Sequence, residues 1–330
     1  MTLVSTTLAT ARASSLEMVY ALSHEFERNA NALDPIVTIA AGGSLGRLEA
    51  GPASDIDCII VHRSGVEPKH IAAAMDSIAQ VFATSPLKAP KIDGIYRTPV
   101  NADALLDRAA LGSLDETPAV FGKRMQLLLD ARPLFGGNAF NTLQAAVVDW
   151  YCSDFVIADP SASWTYLLND LTRYLHAYAG WQQFKFARTN DDSWALRQAK
   201  FRSSRLITFA GLLFLLGESN RSAHKREWLK AQLALTPLER LALVMNKYDG
   251  AAYTRLEQTY ARVYSLLVDP KIRAQLLRTG PDVGQRLGGP VSSEFEQIRA
   301  ETDQILQILT RFALDRCDDW DPRFFARWLF

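Results

Sequence analysis

The chain has 330 residues, of which 48% are hydrophobic and 22% charged. That suits a folded protein with a sizeable core and one or two domains, and excludes a disordered or fibrous chain. Lysine plus arginine balance aspartate plus glutamate at 36 each, so no general nucleic-acid-binding surface is expected.

The first residues carry no long apolar core after a basic region, so no signal peptide is expected. Residues 10–31 place Met18, Leu22 and Phe26 at helical spacing. Asp34-Pro35 ends that helix, and the β-branched run Ile36-Val37-Thr38-Ile39-Ala40 reads as a strand. Gly42-Gly43-Ser44 turns the chain, residues 45–50 read as a short helix, and Gly51-Pro52-Ala53-Ser54 as a loop. Residues 56–62 read as a second strand, 68–83 as a helix, and 91–98 as a third strand with Asp93 near its start. No strand is expected after about residue 100. Helical patterns recur at 105–111, 121–129, 140–158, 164–188, 192–217, 222–234, 236–247, 250–268 and 291–315. Arg132-Pro133 and Gly136-Gly137 break the pattern, so a boundary is expected there, between domains 1–135 and 136–330. The run 206–216 is the most apolar, but too short to span a bilayer. Cys58, Cys152 and Cys317 are scattered, without zinc spacing or a disulfide framework, which reads as reduced thiols of a cytoplasmic protein.

The densest chemical signal lies between Ile39 and Arg63. Asp55 and Asp57 stand two apart at the start of a strand, so both side chains fall on one face. Paired carboxylates suit Mg²⁺, which takes hard oxygen ligands and shares them with substrate phosphates. The Gly-Gly-Ser turn can bring backbone N–H groups to a phosphate. A phosphate cradle beside a metal seat suggests nucleotidyl transfer. That chemistry uses two metal ions about 3.5–4 Å apart, held by carboxylates converging from adjacent strands. Asp93 would be the third carboxylate, with Asp103 and Asp107 as the alternatives.

Gly43-Ser44 followed by Ser54-Asp55-Ile56-Asp57 and then Asp93 resembles the signature of the DNA polymerase β-like nucleotidyltransferase superfamily. Gly46-Arg47-Leu48-Glu49 is similar to the Gly-Arg-x-Glu of bacterial PII uridylyltransferases and glutamine synthetase adenylyltransferases. The stretch Arg124–Gly136 also looks like the segment that follows the catalytic domain in related nucleotidyltransferases. The resemblance implies a small mixed sheet with flanking helices and a helical C-terminal region. It implies that Gly43 and Ser44 hold the triphosphate of ATP or UTP. By the same resemblance, Asp55, Asp57 and Asp93 would be the catalytic carboxylates and hold two Mg²⁺, or Mn²⁺. Without a third carboxylate the chain would bind nucleotide without turnover.

Arg47 reads as a nucleotide contact or as a brace pairing with Glu49. Arg197 and Lys200, in the basic segment 194–205, read either as a solvated helix face or as cations sent to the triphosphate or the acceptor across a cleft. The aromatic C-terminus, Trp320, Phe324, Phe325, Trp328 and Phe330, reads as packing, with oligomerisation as the alternative. The expectation is an α+β fold whose N-terminal domain transfers a nucleoside monophosphate to an acceptor hydroxyl, with no membrane partner. A protein acceptor ranks first, then a nucleotide that yields a signalling oligonucleotide, then a small molecule, then a tRNA end. A non-catalytic nucleotide sensor is the reading from a different class.

Overall fold

The computed structural model describes residues 3–88, 98–113, 115–152, 164–188, 193–278 and 293–329. By its contacts the chain divides into two compact units. One is Thr10–Asp170 with Ser219–Thr236, and the other is Met1–Ala9, Leu171–Glu218 and Pro237–Phe330. The fold is α+β, with a small mixed sheet and flanking helices, and the C-terminal region is helical.

The first unit carries the sheet. Its elements run α1 (Leu3–Arg28, which enters this unit at Thr10), β1 (Ile36–Gly42), α2 (Gly43–Gly46), β2 (Asp57–His62), α3 (Pro68–Ala83), β3 (Val100–Asn101), α4 (Ala102–Leu105), α5 (Pro118–Leu129), β4 (Arg132–Phe135) and α6 (Gly137–Tyr151). The strand order is β3-β2-β1-β4. β1 runs antiparallel to β2 and β4, while β2 and β3 are parallel. A parallel pair needs a crossover, and α3 lies within the connection from β2 to β3.

Alternation along the strands sorts the core. Ile39, Ala41, Cys58 and Ile60 share a cluster with Leu22 and Phe26 of α1 and Ala74, Ile78 and Phe82 of α3. Phe26 and Phe82 meet edge to face at 5.5 Å, the geometry favoured by aromatic quadrupoles. Ala40, Ile59 and Val61 fall on the other sheet face and are also buried. On that account β2 reads as a continuous apolar run once past Asp57.

One expectation about strands changes, and one falls outside the described residues. Residues 132–135, read as a helix break, form β4, with Ala41 opposite Arg132 and Ala40 opposite Pro133. Proline cannot donate to a ladder, but β4 is the sheet edge, where proline is tolerated. The third strand was expected at 91–98. The described β3 is Val100–Asn101, and 91–97 lie outside the described residues. Residues 137–151, expected beyond the boundary, belong to the sheet-bearing unit.

In the helical unit, Trp194–Lys200 runs through a π-helical segment, Phe201–Arg205, into Leu206–Ser219. Hydroxyls reach back four residues here. Ser203 donates to the Ala199 carbonyl at 2.6 Å, Ser204 to Lys200 at 3.3 Å, and Thr208 to Ser204 at 2.7 Å. Such back-bonding competes with the helical ladder and loosens it. No helix among the described residues is long and apolar enough to cross a membrane. Trp320 is buried, stacked with Phe325 and edge-on to Phe214, Phe312 and Phe324.

Candidate active site

The antiparallel register places Gly42 opposite Asp57. The next residue, Gly43, has φ +61°, and a Cβ there would lie 2.6 Å from Asp57 Oδ2. Only glycine combines that backbone with that contact. The Asp57 carboxylate therefore leans against the turn, one residue before Ser44. Within the buried run Ala40–Ala50, Ser44 alone is half-exposed. Its hydroxyl makes no hydrogen bond among the described residues, while its carbonyl accepts from Glu49 N at 2.7 Å.

The turn is pinned from below. A Cβ at Gly46 would lie 2.0 Å from the Asp130 carbonyl oxygen, so α2 and the end of α5 approach as closely as backbone allows. Arg47 donates through Nε to Glu49 at 2.8 Å and through Nη1 to Asp130 at 2.9 Å. All three side chains are buried, with Arg47 only 6% exposed. Of the two readings for Arg47, the described contacts fill the bracing one. Ser15 of α1 adds a further tie by accepting from Ala50 N at 2.9 Å.

Asp55 and Asp57 are both half-buried and flank Ile56, which is fully buried. Asp55 forms a parallel bridge with Lys88, and Ile56 N donates to the Lys88 carbonyl at 2.9 Å. Further along, Val61 pairs with Val100. From Lys88 to Val100 the chain advances twice as many residues as β2 does from Asp55 to Val61. Asp93 falls in that interval and lies outside the described residues.

The alternatives to Asp93 stand elsewhere. Asp107 caps a short turn by accepting from Ala109 N at 3.0 Å, and Asp103 accepts from the Ser64 hydroxyl. Both follow β3, which pairs with the far end of β2. Asp57 and His62, at the two ends of that strand, are roughly 16 Å apart at strand rise. Arg197 and Lys200 belong to the helical unit. Arg197 Nε donates to Ser193 Oγ at 3.0 Å, and Lys200 is half-buried.

Among the described residues no group of three or more His, Cys, Asp or Glu side chains could hold a metal. The donors that are described, Asp55 and Asp57, are hard oxygens of the kind Mg²⁺ takes alongside substrate phosphates.

Sequence reasoning missed two residues of this unit. Asp130 closes α5 as a lone carboxylate after Leu127-Leu128-Leu129, and that isolation was the available signal. Lys123 is buried, with an Nζ that has no hydrogen bond among the described residues. Burial pulls its pKa down, with Cys58 opposing. The Cys58 thiol is pushed up to about 12 by burial and by Asp57, against Lys123. Set against family models and against curated proteins, the chain matches none.

Proposed function

We propose that the chain is a metal-dependent nucleotidyltransferase that moves a nucleoside monophosphate from ATP or UTP to an acceptor hydroxyl, foremost on a protein, with release of pyrophosphate. The observation that carries this reading is the Asp57 carboxylate lying against Gly43, beside the half-exposed Ser44. A phosphate held at the turn would come within reach of the strand carboxylates.

Asp55 and Asp57 would hold Mg²⁺ or Mn²⁺, which supplies charge neutralisation at the triphosphate and activation of the acceptor oxygen. Ser44 would donate its hydroxyl to a phosphate oxygen. The Arg47–Asp130 pair supports this use of the turn by fixing its backbone before substrate arrives, the kind of preorganisation that transition-state stabilisation needs. Asp93 would complete the carboxylate set and assist proton removal. The three free cysteines, two of them buried, fit the reducing cytoplasm as the place of action.

The test is incubation of the full chain with labelled ATP or UTP, Mg²⁺ or Mn²⁺, and cell lysate. Label is expected on protein, and its loss is expected in Asp55→Asn/Asp57→Asn at unchanged circular dichroism. Transfer that survives in the double variant would sink the reading. Label on a small product would move the acceptor to a nucleotide. Metal-dependent nucleotide binding without label would favour a sensor.

A further inference from the structure

We infer that the helical unit carries a binding site for a small aromatic carboxylate, in a cavity between the Trp194–Arg205 stretch and the helix Ser293–Leu314. The cavity residues and the strand carboxylates belong to different units of the chain, and the assignment does not rest on nucleotidyl transfer.

The cavity has a volume of about 190 Å³. For scale, an apolar cavity of about 150 Å³ holds benzene, so one substituted ring fits. Its walls divide by chemistry. Trp194 and Phe295, with ring centroids 5.7 Å apart and tilted by 50°, form an aromatic side. Ala199 and Ile298, both buried, form an apolar floor. Arg202, Arg299 and Gln198 supply donors.

The donors explain the charge of the ligand. Arg202 pairs with Asp303 through Nη2, which fixes the guanidinium. Arg202 lines the cavity and is its first cation. Arg299 is exposed at the rim and adds a second cation. Both charged lining residues are cations, and Asp303, outside the lining, offsets one of them; that balance favours a single anionic group, and guanidinium donors match a carboxylate well. Arg202 also lies within the π-helical segment Phe201–Arg205, and such segments occur frequently at functional sites.

Benzoate is the probe, titrated into the full chain by calorimetry and by amide NMR, with the Trp194 indole signal identified through Trp194→Phe. Saturable binding that shifts this signal is expected. The neutral isostere benzamide should bind at least about tenfold more weakly, because it lacks the charge-assisted hydrogen bonds. Arg202→Gln and the exposed Arg299→Gln should each weaken benzoate by a comparable factor. The second variant keeps the test intact if the first does not fold. Equal binding of benzoate and benzamide, no shift of the Trp194 signal, or unchanged affinity in Arg299→Gln together with any folded Arg202→Gln would each overturn the assignment.

Discussion

Arg47 donates to Asp130 at 2.9 Å across 83 positions of chain, between two side chains that are almost fully buried. This pair joins the loop after the glycine turn to the end of α5, and Glu49 completes a three-membered network. Replacing Arg47 by methionine leaves two buried carboxylates without their cation. Breaking a buried pair from one side costs about 3–5 kcal/mol. Urea unfolding of Arg47→Met should show a loss of that order, with a similar loss for Asp130→Ala. A loss below about 1 kcal/mol would mean that the network does not brace the turn.

Gly43 and Gly65 make a controlled comparison. Both have positive φ, +61° and +72°, but a Cβ at Gly43 would meet Asp57 Oδ2 at 2.6 Å, and one at Gly65 meets nothing within 4 Å. Each alanine substitution should cost roughly 1–2 kcal/mol in backbone strain. Only Gly43→Ala should also displace the Asp57 carboxylate and lower nucleotidyl transfer by an order of magnitude or more, since catalytic geometry tolerates about 1 Å of error poorly. Equal activity in the two variants would separate Asp57 from the turn.

The glycine turn was legible because a positive φ with a close contact calls for glycine, and the aspartate pair was visible as a spacing of two in the sequence. Strands β1 and β2 followed from their β-branched and apolar runs, while their antiparallel pairing comes from the fold. β4 was illegible because four residues with a proline carry no alternation, and their strand character comes from docking against Ala40 and Ala41. Arg47 could be read either way because a local partner, Glu49, was visible in the sequence, while its second partner Asp130 arrives only through the tertiary fold. Lys123 gave no signal at all. A lysine in a helix is ordinary, and its burial depends on α5 being covered on every side from Gly122 to Leu129.

Lys123 makes a prediction with a definite sign. Burial holds its amine below the ordinary lysine value of 10.5. The folded chain therefore releases this proton at lower pH than the unfolded chain does. Between the lowered value and 10.5 the unfolded state binds more protons, so this residue makes stability rise with pH across that window. Lys123→Met removes the ionisable group at similar volume. It should stabilise the chain at neutral pH by about 1–3 kcal/mol, as hydrophobic replacement of buried charge often does. The difference between wild type and variant should shrink as pH climbs toward 10. A difference that grows with pH, followed by chemical denaturation at several pH values, would mean that the amine is charged and satisfied in the fold.

Trp320 anchors the C-terminal aromatics. A Cβ at Gly217 would lie 2.5 Å from the Trp320 ring, and the indole N–H donates to Glu218 Oε2 at 3.2 Å. Glu218 also accepts from Tyr248 at 2.7 Å and pairs with Lys247. Removing the indole leaves a cavity among Phe214, Phe312, Phe324 and Phe325 and takes one donor from a buried carboxylate. Trp320→Ala should cost about 3–5 kcal/mol. Gly217→Ala should cost about 1–3 kcal/mol by pushing the ring from its place. The two effects should not add, because a chain without the indole has room for the new methyl group. Thermal or urea unfolding of both single variants and the double variant measures that coupling, and strict additivity would mean that Gly217 is not held small by Trp320.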